Sequence, residues 1–148
     1  NNFQKTYLNK CFGVSRFTYN WALAEWKKKY ENKEKTSGIS LKKEFNSIKK
    51  EQFPWVYEVT KWAALQPFLD LQNSFDRFFN SKSLYPKFKK KGTSRDSFYI
   101  ASESFKVNEN YIKLPILKSK INCSNRFLCF SFIIIKTSSI LLGKDESI

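Results

Sequence analysis

The 148 residues contain no histidine and no methionine. Without an imidazole, many acid–base mechanisms and the Ser-His-Asp triad lose their central group. Three cysteines, Cys11, Cys123 and Cys129, form an odd set without a framework of spacings, which argues against a domain built on disulfides. Cys123 and Cys129 have no second pair beside them, so a zinc site lacks ligands. No run approaches the ~20 apolar residues of a spanning helix. The start, NNFQKTYLNK, lacks the apolar stretch of a signal peptide. These absences point to a cytoplasmic chain with reduced thiols, and to no metal, no cofactor and no small-molecule substrate. Acid is scarce as well: 13 Asp and Glu stand against 27 Lys and Arg, a formal net charge of +14. Only Arg16, Arg77, Arg95 and Arg126 are arginines. Such an excess favours polyanions through counterion release, with salt-dependent binding.

What is abundant is aromatic surface. Phe, Trp and Tyr make up 18 % of the chain, with 15 Phe and 4 Trp, and hydrophobic residues 41 %, enough for the core of one domain. From Asn1 to about Asn32 the residues Leu8, Cys11, Phe12, Ser15, Tyr19, Ala22, Leu23, Trp26 and Tyr30 keep the 3.6 period of one long helix. Gly13 interrupts it, and a close helix contact would explain a glycine there. Tyr19, Trp21 and Trp26 read as core. ENKEKTSG (31–38) is a polar loop, after which Ser40 is placed to cap a helix from Leu41 to about Lys50. Its stripe is Leu41, Phe45 and Ile48; Lys42, Lys43, Lys49 and Lys50 lie mostly on the other side, as a solvated face. Pro54 resets the chain, with Phe53, Trp55, Val56 and Val59 as an aromatic clasp. Thr60 is an N-cap for a helix running to about Phe79, kinked at Pro67. Its packing face is Leu65, Phe68, Leu71, Phe75, Phe78 and Phe79. Asp70 and Asp76 are too far apart in sequence for a carboxylate pair and balance nearby lysines.

After that helix the character changes. Between Ser81 and Arg95 there are six basic residues (Lys82, Lys87, Lys89, Lys90, Lys91 and Arg95) and no acidic one, with Tyr85, Pro86 and Phe88 interleaved. Pro86 and Gly92 break regular structure, so the run sits on a loop. Basic side chains neutralise phosphates and rings offer stacking surfaces to bases; the plainer alternative is a solvated basic loop. Arg16 and Asn20, four apart on the first helix, share one face. Beyond Gly92 the period shortens: Ser97–Ala101, Phe105–Val107 and Tyr111–Leu114 alternate, with a turn at Asn108–Asn110, which predicts a β-hairpin.

The stretch YPKFKKKG preceded by SFDRFF resembles the N-terminal part of the TnpB-type (OrfB) transposon proteins, relatives of the miniature type V CRISPR effectors. FGVSRFTYNWAL (12–23), FPWVYEV (53–59), ALQPFLDLQNSFDRFF (64–79) and DSFYI (96–100) extend the resemblance over about Leu8 to Pro115. It implies a mainly α fold: three or four helices in a helix-turn-helix-like recognition module, then a small β-hairpin of a partial barrel, α+β overall. The implied domains are 1–95, helical and nucleic-acid-recognising, and 96–120, the hairpin. A tail, 121–148, departs from the family, as a frameshift would produce. In the family a RuvC-type carboxylate site and a zinc ribbon come later in the chain, so no catalysis is expected of this stretch. The implied partners are DNA and guide RNA, with no membrane. The residues expected to bind nucleic acid are Lys82, Tyr85, Lys87, Phe88, Lys89, Lys90, Lys91 and Arg95 on the loop, and Arg16 and Asn20 on the first helix. A small helical interaction protein docking an acidic partner or a membrane surface is the alternative, as is a decayed transposase remnant.

Overall fold

The computed structural model describes residues 2–101, 106–108, 111–114 and 121–122. Helix α1 spans Asn2–Glu31, α2 spans Gly38–Gln52 and α3 spans Lys61–Phe79, with a 3-10 turn over Pro54–Glu58 between the last two. The described part is mainly helical.

The aromatic content decides how the helices meet. α1 packs chiefly on α3, and α2 closes the third side. Cys11, Phe12, Tyr19, Ala22, Leu23 and Trp26 of α1 are buried against Ala63, Ala64, Phe68, Leu71 and Phe75 of α3. Trp26 stacks on Phe75 with centroids 4.2 Å apart. α2 contributes Leu41 and Phe45, the latter stacked on Phe53 at 5.8 Å. Phe17 takes the edges of Phe53 and Trp55 at 4.9 and 4.8 Å, so the clasp after Pro54 is real packing. Aromatic pairs in these arrangements add roughly 0.5–1.5 kcal/mol each beyond the area they bury.

Several local expectations need correction. α2 begins earlier than predicted, because Ser37 rather than Ser40 is its cap: Ser37 Oγ accepts the Ser40 N–H at 3.2 Å. Gly38 is where the close approach lies. A Cβ there would stand 2.4 Å from the Phe68 carbonyl oxygen, and the Gly38 N–H donates to Gln72 Oε1 at 2.8 Å. Gly13, by contrast, has no neighbour within 4 Å of a would-be Cβ, so helix contact is not its reason. Thr60 caps α3 by position, without a side-chain hydrogen bond. As expected, α3 runs through Pro67, which is buried, to Phe79. Tyr30 and Phe79, read as packing residues, are 74 % and 65 % exposed.

Both long helices end in the same way. Glu34 N–H bonds Lys29 C=O and Lys33 N–H bonds Tyr30 C=O after α1; Lys82 N–H bonds Arg77 C=O and Ser81 N–H bonds Phe78 C=O after α3. These are paired bonds of the Schellman type, with Lys33 (φ 61°) and Ser81 (φ 55°) in the left-handed position usually given to glycine. Because no glycine marks either stop, the sequence carries little local signal for them.

Ser97–Ala101, predicted as a strand, joins no ladder among the described residues; it buries Phe98 and Ile100 in the helical core, and Ala101 beside them is buried as well. Phe98 meets Phe12 edge-on at 5.5 Å. Burial of alternate residues produced the strand-like pattern. Further on, short strands β1 (Lys106–Asn108), β2 (Tyr111–Lys113) and β3 (Ile121–Asn122) pair antiparallel in that order. Phe105, most of the predicted turn at 108–110 and the tail from 123 lie outside the described residues.

Candidate nucleic-acid interface

The loop after α3 is held on the helices at four points. Tyr85 presents its ring to Phe75 and Phe78, centroids 5.6 and 5.2 Å away and nearly perpendicular. Pro86 is buried. Next, Asn20 of α1 clamps the backbone of Lys89 from both sides: its Nδ2 donates to the Lys89 carbonyl at 2.9 Å, and its Oδ1 accepts the Lys89 N–H at 2.8 Å. One helical turn away, Arg16 Nη1 donates to Asp96 Oδ1 at 2.6 Å in a half-buried ion pair. A side-chain amide is suited to the first role, since it offers one donor and one acceptor to a peptide unit.

Between these anchors the chain folds back on itself. Lys90 N–H donates to Ser94 Oγ at 2.9 Å, and Ser94 N–H donates to the Lys90 carbonyl at 2.9 Å. Gly92 supplies the positive φ of 79° that the turn needs. The turn therefore carries Lys90 and Lys91 outward on a defined backbone.

The lysines do not all face solvent. Lys89 turns inward, its Nζ 4.2 Å above the Tyr19 ring. Burial lowers its pKa, and the charge of Asp70 acts against that shift. Lys27, on α1, lies over Tyr85 and Phe88 at 5.5 and 4.9 Å and extends the basic surface onto the helix. Lys82, Lys87, Lys90, Lys91 and Arg95 are exposed, and Phe88 is 45 % exposed.

Of the residues singled out from the sequence, the structure brings together Arg16, Asn20, Tyr85, Lys87, Phe88, Lys89, Lys90, Lys91 and Arg95. Within that set, Arg16, Asn20, Tyr85 and Lys89 form the anchoring contacts. Asp96 and Ser94 were missed. The four-residue spacing of Arg16 and Asn20 was the visible signal, but their partners lie 80 and 69 residues away.

Among the described residues no group of three or more His, Cys, Asp or Glu is placed to hold a metal ion. No helix among them is long and apolar enough to cross a membrane. The Cys11 thiol is buried, and burial pushes it up to about 12, which leaves it protonated and inert at neutral pH.

A fold of packed helices with a clamped basic loop defines a helix-turn-helix-like module. Residues 1–35 match the family model HTH_OrfB_IS605, described as a helix-turn-helix domain. The matched stretch takes in α1 and most of its connection to α2, so the N-terminal region is similar to that helix-turn-helix domain. No curated protein matches the chain.

Proposed function

We propose that this chain is the nucleic-acid-recognition part of a TnpB-like transposase, binding DNA and a guide RNA without catalysis of its own. On this reading 1–95 forms the recognition module, and 96–120, which includes β1 and β2, begins a partial barrel; the tail from 121 departs from the family. The observation that carries the reading is the double clamp of Asn20 on Lys89, with the Arg16–Asp96 pair beside it. A solvated loop has no need of such anchoring. A phosphate-binding one does, because ordering the loop in advance lowers the entropy lost on binding.

Lys82, Lys87, Lys90, Lys91 and Arg95 contact phosphates, while Arg16, Asn20, Tyr85 and Lys89 position the loop. Lysine offers a point charge, so these contacts supply affinity and register rather than sequence preference. The test replaces Lys87, Lys90 and Lys91 with Gln and measures duplex affinity across salt concentrations. The plot of log affinity against log salt should lose a slope of roughly 2.7, at about 0.9 per contact. An unchanged slope means that the loop is merely solvated.

A further inference from the structure

One group of aromatic and aliphatic side chains keeps much of its surface in water. Tyr30, Phe79 and Leu84 are 74 %, 65 % and 81 % exposed, and Phe88 and Tyr85 are 45 % and 39 % exposed. They are connected. Phe79 contacts Phe78 at 5.4 Å, Phe78 contacts Tyr85 at 5.2 Å, and Lys27 bridges Tyr85 to Phe88. On its far side Phe79 shares an open cleft of about 740 Å³ with Trp26, Tyr30, Lys33 and Lys35. Glu31 and Glu34 also line this cleft, and Glu34 lies 3.8 Å from Lys29. The surface runs straight into the 81–95 loop, where every formal charge is positive.

Exposed rings bordered by lysines are costly to leave in water and have no partner among the described residues that would cover them. The geometry points to a stacking platform for the unpaired bases of a single-stranded nucleic acid, with Tyr30, Phe79 and Phe88 receiving the bases while the adjoining lysines track the backbone. The inference rests on the reading that the loop binds phosphate. Bases in a duplex are stacked on one another and turn only their edges outward, whereas an unpaired strand offers its π-faces. Rings and lysines side by side therefore select a strand with exposed bases, and they do so without sequence preference.

Stacking and charge separate experimentally, because stacking hardly depends on salt. The full chain should bind an oligo-dT single strand more tightly than a duplex at high salt. The variant Tyr30→Ala/Phe79→Ala/Phe88→Ala removes only exposed rings and should keep its helical circular dichroism and melting temperature. It should bind the single strand on the order of a hundredfold more weakly, from roughly fivefold or more for each of the three lost stacks, with the salt slope and duplex affinity unchanged. Unchanged single-strand affinity overturns the platform, and is the result expected if the rings dock an apolar protein surface instead. If the Lys→Gln variant of the loop loses its slope while the aromatic variant binds normally, the platform fails and phosphate binding stands. If neither set of substitutions alters binding, both fail.

Discussion

Phe75 and Phe79 lie one turn apart on the same face of α3, their rings 6.0 Å apart, yet Phe75 is 2 % exposed and Phe79 65 %. Trp26 covers Phe75. α1 ends at Glu31, and the chain leaves in a tight turn at Lys33, so little of it is left to cover Phe79. The pair shows that a helical face is a property of one element, while burial requires an opposite element that reaches far enough. The same distinction divides the molecule into a covered half, the seam of α1 with α3, and an uncovered half beyond the helix ends where the basic loop lies.

The sharpest way to break this comparison is to truncate both rings. Phe75→Ala should cost roughly 3–5 kcal/mol of stability, the range for a large buried aromatic. Phe79→Ala should stay within about 0.5 kcal/mol of the parent. Denaturant melts of the two proteins give both numbers, and similar values would mean that the exposed ring is covered after all.

Asn20→Ala tests the boundary between the halves. It leaves the Lys89 N–H and carbonyl without their partner, at a cost of about 1–3 kcal/mol. Hydrogen exchange should quicken across 87–96 while the helices keep their protection. Uniform exchange throughout would show that the clamp orders nothing.

The glycines extend the contrast. Gly38→Ala meets backbone, the Phe68 carbonyl oxygen, so α2 must shift, and the loss should be about 1–3 kcal/mol. Gly13→Ala meets nothing and removes a flexible residue from the middle of α1, so it should stabilise by up to about 1 kcal/mol. Thermal melting of the two variants should move in opposite directions.

Alkali tests the covered half as a whole. Burial raises the pKa values of Tyr7, Cys11 and Tyr19, Cys11 from 9.0 to about 12. In the unfolded chain these groups ionise first, so the folded state holds more protons above about pH 9. Stability should be intact below that value and fall as pH rises towards 12, by up to about 1.4 kcal/mol per pH unit for each group. Urea midpoints compared at about pH 8 and about pH 10.5 measure the fall. A flat response would show these groups to be as open as in a free chain.

Much of the framework was legible in the residues themselves. The 3.6 periodicity placed all three helices, because amphipathic spacing is local and each helix has one face to hide. The charge excess and the loop between Pro86 and Gly92 were equally plain, since composition and backbone punctuation need no partner to be read. Two local patterns misled. Ser97–Ala101 alternates as a strand does, yet it buries Phe98 and Ile100 in the helical core and joins no ladder among the described residues. α1 and α3 stop at Lys33 and Ser81, where no glycine announces a stop, and the hydrogen bonds of the turn hold two ordinary residues at positive φ.

What the sequence determined alone was which residues are apolar, how they repeat, and where the positive charge sits. Tertiary structure decided which of those residues have a neighbour. It turned Lys89 inward onto Tyr19 while Lys87, Lys90 and Lys91 face water, and it joined Arg16 to Asp96 and Asn20 to Lys89 across most of the module. The reason is physical: helix periodicity is set by backbone bonds four residues apart, whereas a clamp between residues 69 or 80 positions apart exists only once packing has closed the loop between them.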